Sequence, residues 1–390
     1  MIAAVFASLT VAQFIVSNVT AWDLDRPIGA ADLAGIVSIL DRNVTRYNVS
    51  YTEDPSTAVE VVFVASRTNS TIFQIIPATQ QTTIFAGVPN DQGTENGFRT
   101  SAKLTDLRSM AFNPEDGHLF FTGTGCVRKV DMATMQVSNH VGSCGVTGLD
   151  SLTGAHPPTD FRMKSEVRIT IAYFNGAASL FVADSANFCV RRPHSYNALT
   201  NEIHFETWTG TCGVKGLTFL LRVARASYRP SDAVRSISGT TGASLYMILD
   251  DDTFVSCRLD FCYPFSSNPG ILNPTAIMAV LNGTGLDALL IANSSATGQL
   301  ASIIGAAGVQ STMLVYQSVG GFANATVERP VEATLLTNGT LAVSTLKESP
   351  GNIYSSCCQL AGKVPRTGPE RPVKRLQLTL EPWMKVYKVS

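Results

Sequence analysis

The chain has 390 residues, 45% hydrophobic and only 15% charged, which supplies a large core and excludes disorder. Twenty-nine basic against thirty acidic residues leave a net charge of -1, so no overall field recruits nucleic acid or an anionic membrane. The richness in Gly, Ser and Thr points to many short strands and turns.

At the N-terminus, Met1 to Val16 carries no charged side chain, and Val19-Thr20-Ala21 places small residues where signal peptidase reads. Cleavage after Ala21 is expected, which makes 1–21 a signal peptide and 22–390 a single domain. An uncleaved anchor or a buried first strand is the alternative. No later segment reaches membrane-span length, so no membrane span is expected.

Strand sets follow near 33–87, 107–144, 165–212, 233–265, 271–318 and 331–390, the last including a C-terminal extension that completes or flanks it. The strongest signal is internal repetition. Gly125-Cys-Val-Arg-Lys-Val and Val141-Gly-Ser-Cys-Gly-Val-Thr-Gly-Leu149 recur as Phe188-Cys-Val-Arg-Arg-Pro and Thr209-Gly-Thr-Cys-Gly-Val-Lys-Gly-Leu217. Val64 to Ile72 aligns on Val182 to Val190 as a further copy, with fainter ones at Leu245-Tyr-Met-Ile-Leu, Ile291-Ala-Asn-Ser-Ser and Leu341-Ala-Val-Ser-Thr.

Thr83-Ile-Phe-Ala-Gly87, a loop with Gly93 and Gly97, Ser101-Ala-Lys-Leu104 and Met110-Ala-Phe-Asn-Pro114 resemble an NHL repeat, as does Leu180-Phe-Val-Ala-Asp-Ser-Ala-Asn-Phe-Cys-Val-Arg-Arg192. The resemblance is clear over about 80–217 and faint on either side. It implies an all-β fold, a β-propeller of about six blades with four antiparallel strands each. Five or seven blades are the alternatives.

In this register one cysteine of each clear copy opens the third strand and the other follows the fourth, ends that are adjacent in an antiparallel pair. Cys126 is expected to pair with Cys144 and Cys189 with Cys212, while Cys257 and Cys262 are spaced for a hairpin bridge. Cys357 and Cys358 receive no assignment. Acceptor triplets at Asn43, Asn48, Asn69, Asn282, Asn293, Asn324 and Asn338, with Asn18 inside the leader, agree with the cysteines on an oxidising, secretory route.

No catalytic residue is identified. The cysteines lack C-x-x-C spacing, and no G-x-S-x-G elbow, phosphate-binding loop or H-E-x-x-H sequence is present. His118, His140, His156, His194 and His204 are scattered and read as surface residues. Asp250 to Asp252 read as a turn, and Asp184 as capping its own turn.

The expectation is therefore a non-enzymatic secreted or cell-surface glycoprotein, a scaffold for protein or glycan binding or for assembly. It is expected to need no cofactor. The alternative is a secreted hydrolase or lyase holding a metal in a central channel. Acceptor asparagines are missing between Asn69 and Asn282, which directs partner binding to the long loops of blades two to four, around 88–106, 145–162 and 213–232. In the last, Arg222, Arg225, Tyr228 and Arg229 are candidate contacts, with a strand bearing solvated arginines as the alternative.

Overall fold

A computed structural model describes residues 13–21, 33–41, 59–79, 81–150, 152, 154–174, 177–197 and 202–214, and beyond them the strands from Val234 to Ala361. The chain is all-β, its strands paired antiparallel, with two single-turn 3-10 segments among the described residues.

An N-terminal strand β1 (Gln13–Ala21) precedes the first sheet, β2 (Leu33–Asp41), β3 (Val59–Ser66), β4 (Thr71–Ile76) and β5 (Gln81–Ala86). A two-residue strand β6 (Gly97–Phe98) leads to the second sheet, β7 (Met110–Asn113), β8 (His118–Gly123), β9 (Cys126–Asp131) and β10 (Gln136–Gly142). The third is β11 (Val167–Phe174), β12 (Ala177–Asp184), β13 (Cys189–Asn197) and β14 (Glu202–Gly210). The fourth is β15 (Val234–Gly239), β16 (Ser244–Leu249), β17 (Phe254–Arg258) and β18 (Phe261–Pro264). The fifth is β19 (Pro274–Leu281), β20 (Asp287–Asn293), β21 (Leu300–Gly305) and β22 (Leu314–Gln317). In the sixth, β23 (Pro330–Leu335), β24 (Thr340–Thr345) and β25 (Ile353–Ala361) are joined by β1 on the outside.

Within each sheet the strands pair in sequence order, as a meander with tight turns requires, except for β1 in the last sheet and the short β6, which pairs with β10 in the second. Gln13–Ala21 pairs with β25, with a register shift between Ser17 and Val19. The sequence assigns these same residues to a cleaved leader, and one mature molecule cannot do both.

The strands read as nearly continuous apolar runs because both faces of the sheets are covered. Leu119 and Phe121 face the first sheet, joining Phe63, Phe85 and Val61, while Phe120 between them faces the third, joining Ile169, Leu180 and Phe205. The opposite face of the third sheet puts Phe181, Ala183 and Val190 against Met247, Leu249 and Val255 of the fourth. A strand whose alternate side chains enter two cores has no room for polar alternation.

The first strands of neighbouring sheets approach closely, and hydroxyls join several of them. Ser109, just before β7, receives Ile169 N–H at 3.3 Å. Thr170 Oγ1 receives Gly239 N–H at 3.0 Å, and Ser236 Oγ receives Ile277 N–H at 3.1 Å. Thr334 Oγ1 in the sixth sheet receives Ser38 N–H of the first at 3.2 Å. Short hydroxyl side chains let these backbones approach while each donor keeps an acceptor. Gly239 serves the same approach, since a Cβ there would lie 2.4 Å from Ile171 O.

Candidate functional site

The connections between the first three sheets leave from equivalent points. Gly87 directly follows β5, and Gly142 and Gly210 end β10 and β14, all three with positive φ, at 93°, 80° and 86°. A Cβ at Gly210 would lie 2.3 Å from Phe188 O, so glycine is required by space as well as by conformation. Two residues beyond Gly142 and Gly210, Cys144 and Cys212 bridge back to Cys126 and Cys189, with Cα separations of 4.9 and 5.0 Å. Both pairs match the expectation from the repeat register. Cys257 is also disulfide-bonded, and Cys262 stands opposite it in the β17–β18 register.

The long connections are then fastened from above by two arginines that the sequence reading passed over. Arg128 and Arg191 each follow Cys-Val at the start of a third strand, and both side chains are fully buried. Arg128 reaches into the 88–106 loop, donating to Lys103 O at 2.6 Å, Glu95 O at 2.8 Å and Asn96 Oδ1 at 2.9 Å. Burial pushes its guanidinium down to about 10, with the charge of Glu95 opposing the shift. In the same loop, β6 pairs with β10 and covers the outer edge of the second sheet.

Arg191 reaches into the 145–162 loop through carboxylates instead. Its Nη2 donates to Asp150 Oδ2 at 2.8 Å and lies 3.4 Å from Asp184 Oδ2, with the guanidinium 4.5 Å over the Phe161 ring. Asp150 also accepts from Leu152 and Arg162 backbone N–H groups at 3.2 and 2.9 Å. Asp184 makes no side-chain cap of the 3-10 turn that follows it, which corrects the sequence reading. Its side chain accepts instead from Asn187 Nδ2 within its own turn at 2.9 Å and from Lys164 N–H at 3.2 Å, the latter a tie between loop and sheet that lies outside the turn. Burial pushes its carboxyl up to about 6, against the opposing hydrogen bonds and the Arg191 charge.

Beside these anchors the turn tips are apolar and open. Val146 and Leu149 after the second sheet, and Val214 after the third, are 49%, 52% and 52% exposed. Leu149 packs on Gly213, so the two tips touch, and Arg162 and Lys164 border them with exposed side chains. Val146 and Leu149 on the Arg191-held connection and Val214 beside it form a small contact surface.

His140 departs from the surface role expected for it. Its ring lies 4.9 Å from Phe120 and 5.9 Å from Phe205, and burial pushes it down to about 4, assisted by the Lys129 charge. The ring is a neutral packing element. His118 bonds Asp116 through Nδ1 at 3.1 Å, and the half-exposed His194 stands 3.0 Å from Glu206. His156 lies edge-on to Phe161, and His204 sits on β14. Among the described residues no group of three or more His, Cys, Asp or Glu is placed to hold a metal ion.

Arg222, Arg225, Tyr228 and Arg229 lie outside the described residues, as do Asn43, Asn48, Asn282, Asn324, Asn338 and Asp250 to Asp252. Asn69 stands in the β3–β4 turn, partly exposed, and Asn293 ends β20. Cys357 and Cys358 fall on β25.

The fold and its covalent pattern define an all-β protein of antiparallel sheets with disulfide-stapled outer strands. No family model matches the chain, and no characterised protein matches it by sequence. Among solved structures it is similar to a structural genomics protein of unknown function from Bacteroides thetaiotaomicron VPI-5482, at 12% identity and TM-score 0.48, covering 89% of this chain and 77% of the other. It is similar to the PQQ-bound form of aldose sugar dehydrogenase from Streptomyces coelicolor, at 10% identity and TM-score 0.48, covering 89% and 99%. It is also similar to the extracellular domain of a hybrid two-component system from Bacteroides thetaiotaomicron, at 13% identity and TM-score 0.42, covering 88% and 39%. No helix among the described residues is long and apolar enough to cross a membrane.

Proposed function

We propose that the chain is an exported, six-bladed propeller of the NHL type and that it acts as a binding scaffold, presenting the loops of its second and third blades to a protein partner. Six sheets, first strands lying against one another and the Ser38–Thr334 bond between first and last sheet support closure into a ring. Disulfides at the outer strands fit an oxidising compartment.

One observation carries the binding role. The 88–106 and 145–162 connections are each held by a buried arginine, and the second, which starts at the Gly142 turn beside the Cys126–Cys144 disulfide, leaves Val146 and Leu149 open next to Val214 of the following connection. Such fastening exceeds what a simple connection needs, and it lowers the entropy lost when a partner binds. Glycans at Asn69, Asn293 and the other acceptors would leave this sector clear.

The test is site-specific photo-crosslinking from position 146 on the exported protein in its native source, beside the V146D/L149D variant. A discrete crosslinked protein that the variant no longer captures, with thermal stability retained, is the expected result. Metal analysis of the same preparation addresses the hydrolase or lyase alternative: stoichiometric metal, with crosslinking absent, would replace the scaffold reading.

A further inference from the structure

The Asp150–Arg191–Asp184 cluster places two carboxylates on one guanidinium nitrogen. Arg191 and Asp184 are fully buried and Asp150 nearly so. With both acids ionised the cluster carries one uncompensated negative charge in a site closed to water. Two carboxylates sharing one cation cannot both ionise cheaply, and a proton is the smallest ion that restores balance. The second blade shows the contrast, because Arg128 in the equivalent place touches only carbonyl groups and no carboxylate.

This cluster is also the joint of the 143–166 connection. Asp150 belongs to the loop; Asp184, Asn187 and Arg191 belong to the third sheet and its turn. Asn187 Nδ2 donates to Gly148 O at 2.8 Å, Lys164 Nζ to Ala186 O at 3.1 Å, and Ser185 N–H to Glu166 O at 3.1 Å. The charged groups around Asp184 are thus Arg191 from β13 and Asp150, Lys164 and Glu166 from the loop, with Asn187 on its own turn. Arg162 meets the cluster through its backbone N–H on Asp150.

We propose that this cluster is a proton-operated clamp, tight on the 143–166 loop when Asp184 carries a proton and looser when that proton leaves. Asp184 is the group that takes the proton, since Asp150 holds the shorter contact to Arg191 and two further backbone donors. The sign follows from linkage. A carboxyl that titrates near 6 in the closed loop, against 3.8 for an ordinary aspartate, binds more protons when closed, so closure strengthens as pH falls from 7 toward 4. Two pKa units correspond to roughly 100-fold in the loop-opening constant. The loop carries Val146 and Leu149, so an effect on partner binding would rest on the scaffold reading, whereas the clamp itself does not.

Hydrogen exchange of residues 148–164 in the full chain at pH 5 and 7.4, corrected for intrinsic rates, reads the clamp without a partner. Wild-type protection is expected to rise by about 10-fold at pH 5, the rest of the linkage appearing only at lower pH. Asp184→Asn supplies a permanently neutral group and should protect the loop equally at both pH values. Should that variant fail to fold, Asp150→Asn balances one carboxylate against one guanidinium and should likewise remove the pH dependence. Equal wild-type protection at the two pH values, or an undiminished pH response in the variant that folds, overturns the proposal.

Discussion

Replacing Arg128 isolates what a buried cation contributes when its partners are all carbonyl groups. Arg128→Met keeps the stem and removes three hydrogen bonds, leaving Lys103 O, Glu95 O and Asn96 Oδ1 without that donor. At about 1.5–2 kcal/mol for each abandoned acceptor, the gross loss is about 5 kcal/mol. Part of that returns, because the guanidinium was itself desolvated. Its downward shift to about 10 corresponds to about 3 kcal/mol, so a net destabilisation of about 2 kcal/mol is expected. Arg128→Lys is the sharper probe. It keeps the buried charge and its desolvation cost but offers a single ammonium in place of a fork, so it should destabilise at least as much as methionine. Urea unfolding at pH 7.4 measures both, and limited proteolysis within 91–104 should appear in both variants before global unfolding. A lysine variant as stable as wild type would refute the reasoning, because charge alone would then hold the loop.

Removing either staple with paired alanines should cost about 3 kcal/mol, since loop closure of 18 or 23 residues differs little in entropy, and reduced wild type, which loses both, should lose at least about twice as much in denaturant titration. His140 titrates near 4 when folded and near 6.5 when ordinary, so its contribution is present above about 6.5 and is lost as pH falls toward 4, by up to about 3 kcal/mol. His140→Gln should flatten that part of the unfolding profile, leaving the opposite trend from Asp184. Charge reversal at Arg222 and Arg225 should weaken partner capture with thermal stability unchanged, and unchanged capture would remove those residues from the surface. N-terminal sequencing of the exported chain should begin at Trp22; a start before Gln13 would assign β1 to the mature sixth sheet.

The sheets were legible in the sequence because each is built from consecutive strands and tight turns, whose signals are local. The proposed sets at 107–144 and 165–212 fall within a few residues of Met110–Gly142 and Val167–Gly210. The cysteine pairs were legible because two copies of one register constrained each other. Arg128 and Arg191 left only a recurrence, Cys-Val-Arg twice, and that signal was available but carried no partner. Their loop acceptors, Lys103 and Asp150 among them, lie 25 and 41 residues earlier, outside any local pattern. Asp184 reads from its neighbours in sequence as a turn residue, and Asn187 of that turn does bond it, yet its burial and its bonds from Lys164 and Arg191 leave no trace in the local pattern. Pairing of β1 with β25 joins opposite ends of the chain, where no periodicity points to a partner.

The same arginine position has therefore been used in two chemical ways. In the second sheet it meets neutral carbonyls and leaves an excess positive charge; in the third it meets two carboxylates and leaves an excess negative one. A purely structural pin would work with either arrangement, and the first is indifferent to pH across the range in which proteins are exported and taken up. Only the second contains a group, Asp184, that titrates inside that range. The repeat thus supplies a fixed loop and, one sheet later, an adjustable one built on the same scaffold. Exchange of the loops' anchoring chemistry makes the point testable in one molecule: at pH 5 and pH 7.4 the 91–104 amides should show equal protection while those of 148–164 differ.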